Sequence, residues 1–259
     1  MAGLFGTVAY LVINDDKCDY ASTNFCSKEC PPKNIVAIGV DASGGFDARQ
    51  QAALMSSIRR AISTVPGSEY SSTGTGLSKG DRIDIYNLQA AADEAIAPLL
   101  SICFPGQEPT SANDNAQLVR SYHNRFWQEV TQVISGGLKA EAVNQSPIAE
   151  SIASIGDVAF RSADAMSSKY MIIVSDLLQN SPAFSVYRES PDFSALKKRP
   201  EYVKLRTDLG GAKVCMIRIS RSDALERARQ TPRLLNFWAE YVADNLGEYV
   251  VECETQFRL

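Results

Sequence analysis

Ile35-Val36-Ala37-Ile38-Gly39-Val40 runs without a polar side chain into Asp41-Ala42-Ser43-Gly44-Gly45. A strand apolar at nearly every position is buried on both faces, as in a parallel sheet covered by helices. It stops at a carboxylate, a hydroxyl and two glycines, and open α/β sheets place their ligand sites outside the carboxyl ends of strands. A second segment repeats the pattern. Tyr170-Met171-Ile172-Ile173-Val174 leads into Ser175-Asp176. Two buried strands that each deliver an aspartate to one sheet edge point to a site for a hard cation, because such ions take oxygen ligands.

Outward from these strands the chain alternates helix and strand. Leu54, Met55, Ile58, Ala61, Ile62 and Val65 form an apolar stripe of helical period, with Asp47 placed as its cap and Pro66-Gly67 as its stop. Gly80 to Leu88 reads as a strand nearer a sheet edge, Ala90 to Leu100 as a short helix broken by Pro98, and Cys103 to Asn115 as a loop. Val119, Tyr122, Phe126, Val130 and Val133 make a second stripe that ends at Gly136-Gly137. Ser146-Pro147 opens a third helix, with serine as cap and proline at the first helical position. Val214 to Ile219 is a further buried strand, followed by a helix from Pro232 to Leu246 and a last strand from Tyr249 to Cys253. The expected fold is therefore α/β: a doubly wound, mostly parallel sheet with helices on both faces.

Residues 35–259 are read as one domain, with an insertion at 181–211. Residues 1–34 carry an N-terminal strand, Thr7 to Ile13, and a cysteine-containing loop packed on that domain. The aromatic residues of the insertion, Phe184, Tyr187, Phe193 and Tyr202, read as a satellite core under a long loop; the functional alternative is a partner-binding surface.

Composition narrows the function classes. The chain of 259 residues is 45% hydrophobic and 22% charged with net charge −4, which suits a globular core and argues against nucleic acid as the main ligand. No apolar run approaches the ~20 residues of a membrane span. One histidine and no C-x-x-C pair argue against zinc. Cys103, Cys215 and Cys253 lie in or beside apolar segments and read as small core residues. Cys18, Cys26 and Cys30 crowd a polar loop, either as thiols or with two of them joined. The composition does not fix the address, which leans slightly intracellular; a disulfide among those three would open an extracytoplasmic one.

If the two aspartate-bearing strands are neighbours, Asp41 and Asp176 come within reach of one ion. Ser43 adds a hydroxyl from the first loop, and Ser146 another from the start of the third helix. Mg2+, or Mn2+ or Ca2+, is the cofactor such a set would take. Each residue also has a plainer role: Asp41 and Ser43 in stabilising a turn, Ser146 in capping a helix, Gly44-Gly45 in permitting the turn or a phosphate's approach.

The order of these parts resembles the von Willebrand factor A domain and its metal-ion-dependent adhesion site. Asp41-Ala42-Ser43-Gly44-Gly45 is similar to that family's Asp-x-Ser-x-Ser loop, with Gly45 where the second serine stands. Ser146-Pro147-Ile148-Ala149-Glu150-Ser151-Ile152 is similar to its threonine-led helix start. Val174-Ser175-Asp176 is similar to its third motif, with Leu177 in place of glycine. The resemblance implies a non-enzymatic protein–protein interaction module whose ion is completed by a carboxylate from the partner protein. Two alternatives stand beside it. One is a metal-assisted phosphoesterase using Asp41, which lacks a second aspartate two residues on because Ser43 occupies that position. The other is a metal-independent structural subunit of a larger assembly. A Ser-His-Asp hydrolase is disfavoured, since His123 is the single histidine.

Overall fold

The computed structural model describes residues 18–41, 48–63, 76–88, 96–109, 115–137, 145–161, 163, 165–220, 223–250 and 256–258. The expected strand at Thr7–Ile13, Asp47 as helix cap, and the loop residues Ser43, Gly44 and Gly45 lie outside them.

The strands are β1 (Asn34–Val40), β2 (Arg82–Asn87), β3 (Leu100–Cys103), β4 (Ser168–Ser175), β5 (Lys213–Ser220), β6 (Glu248–Tyr249) and β7 (Gln256–Arg258). They form one sheet in the order β3-β2-β1-β4-β5-β6, with β7 also on β5. Every pairing is parallel except β2 with β3. The doubly wound reading holds, and the two aspartate-bearing strands are neighbours: Val40 lies opposite Val174.

The helices are α1 (Ala48–Ser63), α2 (Ala116–Gln132), α3 (Ile148–Phe160), α4 (Phe193–Leu196), α5 (Ala224–Arg229) and α6 (Pro232–Asp244). All seven residues of β1 are buried, and they alternate between two cores. Val36, Ile38 and Val40 join Leu54 and Ile58 of α1 and Phe126 and Val130 of α2. Ile35 and Ala37 join Ile152 and Ile155 of α3 and Phe237 and Trp238 of α6. Gly39 faces the second core, and a Cβ there would stand 2.6 Å from Leu88 Cδ2 and 3.1 Å from Ile155 Cδ1. The missing side chain lets α3 lie close to β1, which brings the start of α3 over the end of that strand.

Four expectations are corrected. Residues 100–103 are strand β3, not the end of a helix and the start of a loop; at four residues it is too short for a periodic signal. Cys103 is not a simple core residue but is bonded to Cys26, while Cys18 is bonded to Cys30 and Cys215 is a buried thiol. Phe184, Phe193 and Tyr202 of the insertion join the main α3–α6 core instead of a satellite, with Phe184 stacked on Phe237 at 4.9 Å. Ser146 does not cap α3. The N-cap position belongs to Pro147, whose side chain makes no capping bond.

Candidate functional site

Asp41 is still part of the sheet: its N–H donates to Val174 O at 2.8 Å. That bond sets its side chain beside Ser175 on β4, and Ser175 Oγ donates to Asp41 Oδ2 at 3.0 Å. Ser146 Oγ donates to the same oxygen at 3.0 Å, across 105 residues of sequence. Ser146 is held there by a backbone bridge in both directions with Asn180, each bond 2.9 Å. The helix start that Ser146 leaves uncapped is served by Gln179, whose Oε1 accepts from Ala149 N at 2.9 Å while its amide donates to Glu150 Oε2 at 2.8 Å. A glutamine from the loop after β4 thus releases the Ser146 hydroxyl to face Asp41.

Asp176 follows Ser175 directly. Its Oδ1 accepts from Leu178 N at 2.8 Å, closing a tight turn after the strand. Leu177 takes φ 64°, a conformation that favours glycine. Three contacts hold it there: Ser175 Oγ accepts from Leu177 N at 3.0 Å, Trp238 Nε1 donates to Leu177 O at 3.1 Å, and the side chain is fully buried. Leu177 therefore holds a backbone conformation that glycine adopts more readily. On the far side, Gln230 Nε2 donates to Asp176 O at 3.0 Å and to Ile219 O at 2.7 Å, tying the turn to the end of β5.

Of the residues singled out from the sequence, Asp41 and Ser146 meet directly. Asp176 lies at the same edge, one residue beyond the Ser175 that touches Asp41. Both carboxylates are buried, at 4% and 3% exposure. Ser43 is outside the described residues. Ser175 and Gln179 belong to the site as well. Ser175 is legible in hindsight, since it precedes the strand-end aspartate. Gln179 carries no local signal, because its role depends on where α3 begins.

The donor set is all oxygen: two carboxylates and serine hydroxyls. Both hydroxyls spend their proton on Asp41; Ser175 Oγ also accepts from Leu177 N, while Ser146 Oγ keeps its lone pairs, and oxygen donors of this kind suit a small hard cation with waters completing the shell. Among the described residues no group of three or more His, Cys, Asp or Glu side chains is placed to hold a metal. Ions that depend on many carboxylates or on nitrogen and sulfur are poorly served here. A cleft of about 160 Å³ lies at the other end of the sheet, lined by Tyr20, Phe25, Lys79 and Tyr122 among others; it contains no carboxylate and is separate from this site.

No protein-family model matches the chain, and no curated protein matches it. Among solved structures it is similar to proximal thread matrix protein 1 from the mussel byssus, with TM-score 0.39 and 9% identity, over 84% of this chain and 48% of that one. It is similar also to the human COPII-coat protein Sec24c, with TM-score 0.36 and 9% identity, over 90% of this chain and 31% of that one. The chain spans less than half the length of either. At scores this low the likenesses add nothing to the fold described above. Among the described residues, no helix is long and apolar enough to cross a membrane.

Proposed function

We propose that the chain is a von Willebrand factor A-like, non-enzymatic interaction module. It binds a protein partner at the C-terminal edge of its sheet, through a divalent cation held by Asp41, Ser43, Ser146 and Asp176. The observation that carries the reading is the convergence of Ser146 and Ser175 on Asp41 Oδ2, with Asp176 directly after the end of β4. Hydroxyls and carboxylates without a histidine or lysine among them suit ligation better than proton transfer. When bound, the ion would supply an open coordination position for a partner's carboxylate. This chain's residues orient that position: β1 and β4 fix Asp41 and Ser175, and the Asn180 bridge fixes Ser146.

Titrating Mg2+ and Mn2+ calorimetrically into the protein and into Asp41→Ala tests it. Saturable heat in the parent and none in the variant is the expected result. Negligible heat in both would remove the cation from the proposal.

One observation favours the metal-independent subunit as a second reading. Asp41 already accepts two hydroxyls and Asp176 already closes its own turn, so the cluster serves as a polar clasp between β1, β4 and the start of α3 without an ion. A melting temperature unmoved by Mg2+ or a chelator, in a protein that still binds a partner, would select this reading. Two disulfides support an extracytoplasmic address over the intracellular one, since such bonds persist in oxidising compartments.

A further inference from the structure

Five arginines fall between Arg218 and Arg233 against two acids, Asp223 and Glu226, in a chain whose net charge is −4. The structure puts the described residues of this segment, 218–220 and 223–233, beside the candidate site. Arg218 lies opposite Ser175 in the β4–β5 register, in the same row as Asp41. Its Nη1 donates to Gln230 O at 3.1 Å, and the side chain of that same Gln230 holds the Asp176 turn. Arg218 Nε is buried and finds no acceptor among the described residues.

Helix α5 continues the surface outward. Arg227 is exposed, and its side chain makes no hydrogen bond or ion pair among the described residues. Arg229 lies over the Tyr187 ring at 5.1 Å, which joins α5 to the insertion. Arg188, the next residue in the insertion, is exposed and anchored by one bond from Nη2 to Ser181 O at 2.7 Å. The acids of the segment have other duties. Asp223 caps α5, accepting from Leu225 N and Glu226 N at 2.9 Å, and Glu226 accepts from Tyr187 OH at 3.4 Å. Among these charges sit two apolar groups open to solvent, Leu225 at 72% and Tyr187 at 39% exposure.

We infer that this surface, formed by Arg188, Arg227, Arg229, Tyr187 and Leu225, docks an acidic segment of a partner protein that also carries an apolar side chain. The inference rests on the interaction-module reading and names the partner's chemistry. Guanidinium groups receive carboxylates through paired N–H donors, and arginine and tyrosine are favoured where interfaces concentrate binding energy. A nucleic acid fits less well: the exposed leucine contributes nothing to a phosphate backbone, and the rest of the chain is acidic.

The test is fluorescence anisotropy with a labelled peptide of repeated Asp-Leu-Glu, a Lys-Leu-Lys counterpart, and a labelled single-stranded oligonucleotide. The parent should bind the acidic peptide, less tightly as salt rises, and Arg227→Glu/Arg229→Glu should bind it at least ~10-fold more weakly, about the effect of losing two charge-assisted contacts. The single variant Arg227→Glu should lie between them, and melting temperatures confirm that each variant is folded. Equal binding by parent and double variant overturns the inference. So does failure of the parent to bind the acidic peptide, or preference for the lysine peptide or the oligonucleotide. Chelator separates this from the cation. Binding that survives chelator and Asp41→Ala but not the double variant upholds the patch and rejects the ion as its bridge; the reverse pattern upholds the ion and rejects the patch.

Discussion

Strand β1 has a buried aspartate at each end, and the two are built differently. At its start Asp81, 1% exposed, accepts from Asn34 N at 3.0 Å, Asn34 Nδ2 at 2.8 Å and Ser78 N at 2.7 Å. At its finish Asp41 accepts from the hydroxyls of Ser146 and Ser175. A backbone N–H has nothing further to offer once it has donated, and an amide NH2 has no lone pair with which to accept. A hydroxyl that donates still has lone pairs for another partner. The Asp81 end is therefore a finished structural knot, while at the Asp41 end the Ser146 hydroxyl keeps lone pairs, which is what the proposed ligand site would use. Covalent bonds reinforce the contrast: Cys26–Cys103 joins the segment before β1 to edge strand β3 at the Asp81 end, and the Asn24 carbonyl accepts from Cys103 N at 2.8 Å beside it.

The largest effect expected from this difference belongs to that disulfide. Cys26 and Cys103 are 77 residues apart, so replacing both with serine should cost about 4 kcal/mol through the freed loop entropy of the unfolded chain. Removing Cys18–Cys30, with separation 12, should cost about 3 kcal/mol. Urea melts of the two variants check the order, and a reversed ranking would mean that the unfolded chain is not what the longer bond restrains. Next comes Asp81→Ala, which strands two donors of the buried Asn34 as well as the N–H of the exposed Ser78 and should cost about 3 kcal/mol. Asp41→Asn should cost about 1 kcal/mol, because an amide oxygen still accepts from one hydroxyl. If Asp41→Asn proves the more damaging in the same melts, the Asp41 end is as closed as the other and the distinction fails.

Much of this architecture is legible in the sequence because β1 and β4 are apolar throughout and end in aspartates. Burial on both faces leaves few alternatives to a central parallel pair, and that pairing brings Asp41 to the same edge as Asp176. What is not legible depends on distances set by other elements. Ser146 reads as a cap because serine before proline at a helix start usually is one; only the position of Gln179, 30 residues past Ala149, shows that the hydroxyl is free to turn to Asp41. Cys103 reads as a core residue because nothing local tells that the loop carrying Cys26 folds back on β3. The insertion aromatics lack periodicity, yet Phe184 and Phe193 complete the core under α6. In each case the deciding contact is remote in sequence.

Leu177 sharpens the comparison from the other side, since the Asp41 end carries backbone strain. Glycine there would relieve about 1 kcal/mol of left-handed strain but remove a fully buried leucine, typically worth about 3 kcal/mol. Leu177→Gly should therefore destabilise by about 2 kcal/mol, read from the shift in urea midpoint. A neutral or stabilising result would mean that the strain outweighs the packing, and that the turn is held by Asp176 and Trp238 alone.

The smallest effect is in pH dependence, and it comes from the Asp81 end of the sheet. Burial lowers the His123 pKa from its ordinary 6.5, with the nearby Arg59 guanidinium acting in the same direction against a bond to the Gly106 backbone. Its ring packs edge-on to Phe104 at 5.6 Å, close to the disulfide-bonded end of β3. A histidine kept neutral in the fold contributes stability that is complete above 6.5 and declines as pH falls below it, where the unfolded chain takes up the proton first. Asp81 works in the opposite sense. Burial raises its pKa above 3.8 despite its hydrogen bonds, so the folded chain holds that proton more tightly and the protein gains stability as pH falls towards 3.8. His123→Phe should flatten the loss just below pH 6.5 and leave the more acidic region unchanged. Chemical denaturation at a series of pH values checks this, and an unaltered slope in the variant would place the titrating group elsewhere.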